Sequence, residues 1–322
     1  MINAENEKDH SFPALANVTS VDLNGLKDQE GRKSHESILI AALLCGAIVL
    51  FGLSWPVVKI ALSSTGTPPL LLVCSRSGFA FLTLLAVAIL RRQFSVPARA
   101  DIPALFGIGV LQLTGFFLLC HIAIKSVPAS HTAILSNAAI IWVVPLSAIM
   151  GRLEHRGKWF AALLSLGGIL VILRPWAIDV FNTQSAFGYG ILLAAALAWA
   201  GTIVVLRNFP AKMAAPDLLL WSFGLSFALL LAFCVALKVS LVLPAGSMGY
   251  ALFNGALVAP AGTYFLITLA KKLSPTVTAI ALLAIPICGV LVSCIILGEE
   301  IGASLIIGSL LIFAGIVVAS RF

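Results

Sequence analysis

Ten long apolar runs dominate this 322-residue sequence and constrain its fold more than any other feature. A membrane-spanning helix needs about 20 mostly apolar residues. The runs cover residues 38–62, 69–90, 102–124, 129–150, 157–174, 186–207, 217–238, 248–270, 275–297 and 301–320. They are too long and too uniform for alternating strands, and backbone groups in lipid need partners within their own helix. We therefore predict an all-α integral membrane protein with ten transmembrane helices.

The composition supports this class. Apolar residues make up 60 % of the chain and charged residues 10 %, whereas a typical soluble domain has about 25 % charged residues. Such a small number of charges cannot cover a water-facing surface. The composition therefore excludes the soluble enzyme classes and argues against a nucleic-acid partner, and it makes the lipid bilayer the expected surroundings.

The basic residues are unevenly divided between the two sets of helix ends that ten antiparallel spans create. One set contains Arg32, Lys33, Arg91, Arg92, Arg99, Arg152, Arg156, Lys158, Arg207, Lys212, Lys271, Lys272 and Arg321. The other set contains only Lys59, Lys125, Arg174 and Lys238. Cytoplasmic loops carry the excess of Lys and Arg, so we expect both termini to face the cytoplasm, in a plasma or inner membrane.

Residues 1–36 form a polar segment before the first run. The segment lacks the basic start, apolar stretch and small-residue cleavage site of a signal peptide. Its composition predicts a disordered cytoplasmic tail. The six cysteines of the chain all lie inside apolar runs without metal-ligand spacing. We interpret them as packing residues and expect no metal or other cofactor.

The second half of the chain repeats the first. Pro68 is matched by Pro216 at an offset of 148, and Phe106 by Phe253 at 147. Further pairs are Lys59 with Arg207, Gly115 with Gly262, Ala133 with Ala279, and Glu154 with Glu300. Because each half holds five spans, the second half enters the membrane in the opposite direction. We predict two inverted five-helix repeats, at 37–178 and 186–321, as in many secondary transporters.

Several stretches resemble one family, the drug/metabolite transporter superfamily and in particular its EamA-type exporters. They are residues 51–59, 69–76, 123–133 and 297–299, together with Gly308 and Gly315. The resemblance implies a ten-helix exporter whose spans 3, 4, 8 and 9 line a central cavity. The sequence departs from the family where Ile140 replaces a frequent proline, where Ile285 replaces a frequent acid before Pro286, and where Leu153 precedes Glu154.

Arg76 and Lys59 are the basic candidates for a substrate pathway. Arg76 lies seven residues into the second run, which is roughly 10 Å at 1.5 Å per residue. Charges at that depth are costly and often functional. Arg76 is expected either to contact an anionic group of the substrate or to satisfy backbone carbonyls. Lys59 lies near the end of the first run and either extends to the interface or, as the resemblance implies, takes part in transport.

Neutral polar and aromatic residues provide further candidates for the pathway. His121 and His131 flank the turn between spans 3 and 4, where they would either couple protons or simply be solvated. Asn137 and Gln112 are expected to bond between helices or to face substrate. The aromatic candidates for cavity walls are Trp55, Trp142, Trp199 and Tyr264. Prolines expected to interrupt helices are Pro56, Pro145, Pro260 and Pro286.

These observations predict a secondary transporter that exports small metabolites, such as amino acids or drugs, by alternating access. The alternative within the superfamily is an importer or exchanger of organic anions or nucleotide sugars. An intramembrane enzyme or a channel is a remote alternative, because the sequence contains no Gly-x-Ser-x-Gly motif and no filter motif. Expected partners are the bilayer and a small-molecule substrate, with protons as an alternative coupling ion. The chain is expected to be a monomer or a homodimer.

Overall fold

The computed structural model describes residues 23–92, 94–151, 154–174, 183–273 and 275–322. Residue contacts divide the chain into residues 1–42 and 43–322, and the helices pack against one another within the second unit. The described residues form helices and no strand. In chain order the helices are α1 (Leu23–Ser64), α2 (Pro69–Arg91), α3 (Arg99–Ala123), α4 (Ala129–Ile149), α5 (Arg156–Leu173), α6 (Thr183–Asn208), α7 (Ala215–Ala236), α8 (245–272), α9 (275–297) and α10 (Ala303–Ala319).

These helices confirm the predicted class of all-α membrane protein. In the part of the chain that is described, α1 to α8 are long and apolar enough to cross a membrane. The second segment of α9 and the whole of α10 are shorter apolar helices. Large apolar side chains such as Leu90, Ile149 and Ile295 are more than 80 % exposed. Lipid is the solvent that such a surface requires.

The first helix begins earlier than the apolar pattern predicted. α1 starts at Leu23, inside the segment expected to be a disordered tail. Leu, Lys, Gln and Glu residues in this stretch have high helix propensity, so a helix formed in the apolar run extends into it. Residues 1–22 and Leu153 lie outside the described residues, and the expectations made for them are not addressed by the structure.

Two pairs of helices are interrupted at equivalent places in the two repeats. α3 contains a π-helical segment, Phe106–Phe116, and α8 contains one at Phe253–Gly262. The two segments begin at residues that the sequence repeat pairs. α4 consists of Ala129–Leu135 and Ile140–Ile149, and α9 consists of Pro275–Leu282 and Ala284–Leu297. Interruptions of this kind are frequent at functional sites.

Different chemistry produces the interruptions of α4 and α9. In α9, Pro286 lacks the N–H that would bond the carbonyl four residues earlier. In α4, Asn137 Nδ2 donates to the Ala133 carbonyl at 2.8 Å, while the Asn137 backbone N–H bonds Ile134 instead. A side chain thus replaces a backbone donor. The predicted breaks at Pro56 and Pro145 do not occur, since both prolines lie inside continuous helical segments.

Helices of one repeat pack against helices of the other. α2 packs along α7 and on the π-helical segment of α8, and α7 packs on the π-helical segment of α3. The first segment of α4 lies against the second segment of α9, and α5 lies against α10. Small residues permit these close approaches. A Cβ atom added to Gly168 of α5 would lie 2.5 Å from the carbonyl oxygen of Gly308 of α10.

Candidate functional site

A cavity of about 440 Å³ lies among helices of both repeats. This volume is within the usual range for small-molecule pockets, roughly 300–1,000 Å³. Residues from α1, α2, α3, α4, α6, α7, α8 and α9 form its wall. They are Phe51, Ser54, Trp55, Arg76, Ile108, Gln112, Leu113, Phe116, Phe117, Ser136, Asn137, Trp199, Leu206, Ala215, Leu218, Leu219, Phe223, Thr263, Leu266, Ile267, Leu282 and Ile285.

Arg76 supplies the positive charge of this wall. It is buried, with 4 % of its surface exposed. Its guanidinium carbon lies 3.8 Å from the ring centroid of Phe117 and 6.0 Å from that of Phe223, so two aromatic faces hold the cation. Nη1 of Arg76 is buried and has no hydrogen-bond partner within the described residues. One strong donor group in the wall is therefore unsatisfied.

A glycine of the second repeat allows the backbone that carries Arg76 to lie deep in the bundle. Gly255, in the π-helical segment of α8, contacts α2 directly. A Cβ atom at Gly255 would be 2.6 Å from the carbonyl oxygen of Arg76 and 2.7 Å from Cβ of Phe79. The neighbouring Asn254 accepts a hydrogen bond from Ser54 of α1 at 2.5 Å. α1, α2 and α8 are thus held together beside the cavity.

Uncharged polar groups complete the polar part of the wall. Ser136 and Asn137 lie at the interruption of α4, where both side chains bond the Ala133 carbonyl. Gln112 lies on the π-helical segment of α3, and Thr263 begins the next segment of α8. Among the described residues that line the cavity, none is an aspartate or glutamate. The wall can donate and accept hydrogen bonds, and its formal charge is positive.

Aromatic rings form much of the remaining surface. The rings of Phe116 and Trp199 meet edge to face with their centroids 4.8 Å apart, and Phe116 and Phe117 are similarly arranged at 5.0 Å. Trp55 and Phe51 of α1 also contribute to the wall. Such a wall suits a flat or aliphatic group on a ligand.

Several of the predicted pathway residues meet in this cavity. Arg76, Trp55, Asn137, Gln112 and Trp199 all belong to its wall. Among the described residues that line the cavity, Ile285 is present and its neighbour Pro286 is not. The predicted residues that lie elsewhere in the bundle are Lys59, His121, His131, Trp142 and Tyr264.

Lys59 binds backbone carbonyls at the turn between α3 and α4. Its Nζ donates to the carbonyl oxygens of Ile124 at 2.5 Å and Val127 at 2.9 Å. On the other side of the turn, Glu299 accepts hydrogen bonds from the backbone N–H groups of Ala129 at 2.7 Å and Ser130 at 2.8 Å. We call these two side chains and residues 124–130 the turn clamp. Its geometry fixes the end of α3 and the start of α4.

The other predicted residues have local partners. Trp142 donates from its indole nitrogen to the carbonyl of Leu193 at 3.1 Å. His131 Nδ1 lies 2.6 Å from the hydroxyl of Tyr189. Tyr264 is 54 % exposed, because it lies on a part of α8 that faces outward. All three side chains lie outside the cavity wall.

His121 is buried rather than solvated. Its Nδ1 lies 2.7 Å from the Phe117 carbonyl oxygen, which accepts only if Nδ1 carries the proton. Nε2 is buried and has no hydrogen-bond partner in the described part of the chain. His121 thus packs behind Phe117, the ring that Arg76 contacts, and does not itself reach the cavity wall.

The sequence did not indicate Phe117 or Phe223 as site residues, and it indicated Glu299 only as part of the stretch 297–299 that resembles the family. The two rings enclose the Arg76 guanidinium, and Glu299 belongs to the turn clamp. The spacing of four residues between Phe117 and His121 places both on one helical face. Nothing in the sequence pattern indicates which other helix packs against that face. Among the described residues no group of three or more His, Cys, Asp or Glu is arranged to hold a metal ion.

Two five-helix halves around a ligand-sized cavity define the class of membrane transport proteins. The chain belongs to the EamA-like transporter family, whose model matches residues 38–174 and 186–321. Both halves of the chain thus match the family unit, which confirms the resemblance based on residues 51–59 and the other stretches. Family membership supports a transport function and gives no support to an enzymatic one.

Two relatives carry related names. The chain is 26 % identical over 292 residues to an "Uncharacterized transporter" of Archaeoglobus fulgidus, covering 90 % of this chain and 97 % of that protein. It is 32 % identical over 143 residues to the "Uncharacterized transporter YdfC" of Bacillus subtilis, covering 44 % of this chain and 45 % of that protein. A solved crystal structure aligns with a TM-score of 0.57 and 24 % identity, over 87 % of this chain and 96 % of the other. This last likeness concerns the fold alone.

Proposed function

We propose that the protein is a secondary transporter that exports small metabolites by alternating access through the central cavity. The observation that carries the proposal is the cavity itself, whose wall combines residues of both repeats with the interruptions of α4 and α9. Interrupted helices at a repeat interface are typical of transporter sites. Residues 37–178 and 186–321 are the two units that would move against each other.

The test is counterflow in proteoliposomes. The panel contains neutral, aromatic and acidic solutes and a lipophilic cation, with and without a pH gradient. A matched pair of variants separates passage through the cavity from leakage. Ala215 lines the cavity, while Ala214 is its exposed neighbour. Saturable exchange that Ala215→Trp blocks and Ala214→Trp preserves is expected. Exchange that is insensitive to both variants would contradict a route through this cavity.

Direction and orientation need their own measurement. Export predicts accumulation of substrate inside everted membrane vesicles, and import predicts accumulation in right-side-out vesicles. Labelling with an impermeant maleimide, in a chain without native cysteines, tests the proposed cytoplasmic location of the termini. A cysteine placed at Arg321 should react only in everted vesicles, whereas one placed at Ser63 should react only in right-side-out vesicles.

A second candidate function is exchange of organic anions. Arg76, a buried cation in the cavity wall with an unsatisfied donor, favours it. Coupled exchange would appear as uptake that depends on an anion inside the vesicle. Uptake that depends on a pH gradient would instead support proton coupling, for which His121 and His131 are the candidate groups.

A further inference from the structure

The charge of the cavity wall is unbalanced. Arg76 is buried, contacts the Phe117 ring and has an unsatisfied Nη1. Glu154 pairs with Lys158 and Arg207 outside the cavity, and no acidic residue is among the described residues that line it. A buried charge without a counter-ion is unfavourable in a protein interior and especially in a membrane. An anion in the cavity would supply the missing partner.

The wall also limits what the rest of a ligand can be. The lining residues provide aromatic and aliphatic surface, a few neutral polar groups and no described carboxylate. An ammonium group on a ligand would therefore lose its hydration without gaining an ionic partner, and Arg76 would repel it. The wall favours an apolar body and disfavours a second, cationic group.

The number of cationic side chains available in the cavity limits the charge that the anionic group of a ligand can carry. Lys59 has its ammonium on the carbonyls of Ile124 and Val127, so it is occupied outside the cavity. A phosphate monoester carries about −1.5 to −2 charge at neutral pH, and a nucleoside diphosphate carries more. A single guanidinium balances one carboxylate, which it can bind through two parallel hydrogen bonds.

From this arrangement we infer that the cavity binds hydrophobic monocarboxylates, with the carboxylate on Arg76 and the apolar body against the aromatic wall. The inference rests on the proposed transport function and narrows its substrate class. It predicts that acids without an amino group bind more tightly than zwitterionic amino acids, lipophilic cations and nucleotide sugars.

Binding to the purified protein is the appropriate test, because protonated aromatic acids cross lipid bilayers unaided. Hydrocinnamate, phenylalanine and phenethylamine share one apolar body and differ in charge. Calorimetric titration should rank them in that order. Arg76→Gln should weaken hydrocinnamate binding by about thirtyfold or more, as expected for truncating one partner of a buried charge pair. Arg76→Lys should restore part of the affinity. Arg99→Gln removes an exposed charge outside the cavity and should leave binding unchanged.

A second variant tests the inference with Arg76 in place. Gln112 lines the cavity on the π-helical segment of α3, and Gln112→Glu adds a carboxylate of nearly the same shape. Hydrocinnamate affinity should fall and phenethylamine affinity should rise. If the Arg76 variants elute as aggregates, the Gln112→Glu variant carries the test alone. The inference therefore does not depend on the folding of the Arg76 variants.

The outcomes separate this inference from the proposed function. Phenylalanine or phenethylamine binding as tightly as hydrocinnamate overturns it, as does hydrocinnamate binding that Arg76→Gln leaves unchanged. Counterflow of another solute without hydrocinnamate binding overturns the inference while transport stands. If the permanently charged phenylethanesulfonate binds as hydrocinnamate does but shows no counterflow, the result supports an anion site at Arg76 and contradicts transport of its ligands.

Discussion

The two repeats share a framework and differ at the site. Both contain a π-helical segment, in α3 and in α8, and an interrupted helix, in α4 and in α9. A hydroxyl links the matched helices in each case. Ser54 of α1 bonds Asn254 of α8, and Thr202 of α6 bonds the carbonyl of Gly107 of α3 at 2.8 Å. The framework contacts therefore follow the repeat although the residue types have changed.

The cavity wall does not follow the repeat. Arg76 of the first repeat corresponds to Gly224 of the second, and Gly255 of the second corresponds to Ile108 of the first. The only buried cation in the described wall thus comes from one half, and the glycine that makes room for it comes from the other. Alternating access needs similar halves, whereas a single asymmetric ligand needs one set of contacts. The difference teaches that symmetry here belongs to the framework and asymmetry to the site.

The largest expected effect comes from disrupting the close contact between Gly255 of α8 and Arg76 of α2. Gly255→Ala places a methyl group against the Arg76 carbonyl and the Phe79 side chain. Overpacking usually costs about 1–3 kcal/mol, and we expect a loss near 3 kcal/mol because backbone must move. The measurement is the free energy of unfolding in mixed detergent micelles. Gly249→Ala, on the same helix, is the control and should cause no loss of stability. Apart from its chain neighbours and the backbone of its own helix, the new methyl group would meet no atom within 4 Å.

The contact at Gly255 also shows how far the sequence alone could lead. The ten runs, the repeat and five residues of the wall were predictable, because span length and the offset between repeats depend only on apolarity and spacing. The environment of Arg76 was not. It depends on which helix faces pack together, and apolar residues surround these helices on most sides, so the pattern does not distinguish lipid-facing from cavity-facing positions.

Helix interruptions show a similar limit. Prolines were expected to mark them, and Pro286 lies at the interruption of α9. Pro56 and Pro145 lie within continuous helix, and α4 is interrupted at Asn137 instead. A side-chain amide that replaces a backbone donor leaves no distinctive sequence signal. The role of Lys59 was also beyond the sequence, because its carbonyl partners lie in the turn between α3 and α4.

The next effect concerns Lys59 and sharpens the distinction between framework and site. Lys59→Met removes two hydrogen bonds to the carbonyls of Ile124 and Val127. Hydrogen bonds from charged groups contribute about 1.5–3 kcal/mol, so we expect about 2 kcal/mol of lost stability in the same unfolding measurement. Hydrocinnamate affinity of the folded fraction should be unchanged. A variant with wild-type stability and weakened binding would instead place Lys59 in the substrate pathway.

Glu299, the other side chain of the turn clamp, should have a smaller effect. Its carboxylate accepts the N–H groups of Ala129 and Ser130 at the start of α4. Losing a side-chain cap typically costs about 1 kcal/mol, which is the loss expected for Glu299→Ala. The adjacent Glu300→Ala changes an exposed side chain and should stay within about 0.5 kcal/mol. Equal losses in the two variants would show that net charge, rather than the cap, is responsible.

The smallest effect concerns Glu154, which follows the end of α4 opposite the turn clamp. Arg207, the counterpart of Lys59, and Lys158 both form ion pairs with Glu154. Burial raises the pKa of the Glu154 carboxyl, but the hydrogen bonds and charges of Lys158 and Arg207 outweigh it and hold the pKa below its ordinary value of 4.5. A pKa that is lowered in the folded state stabilises the protein at pH values above the ordinary pKa. This stabilisation disappears as the pH falls through the lowered pKa.

Glu154→Gln should therefore cost up to about 1 kcal/mol at neutral pH, the range of partly exposed ion pairs. The difference in stability between this variant and the wild-type protein should shrink as the pH falls below the ordinary pKa of the carboxyl. Melting temperatures of both proteins across this pH range provide the measurement, and the difference between them cancels the titration of the other carboxylates. A difference that is constant with pH would mean that Glu154 acts through hydrogen bonds that glutamine also makes. The turn clamp and the interactions of Glu154 would then differ in geometry and not in charge.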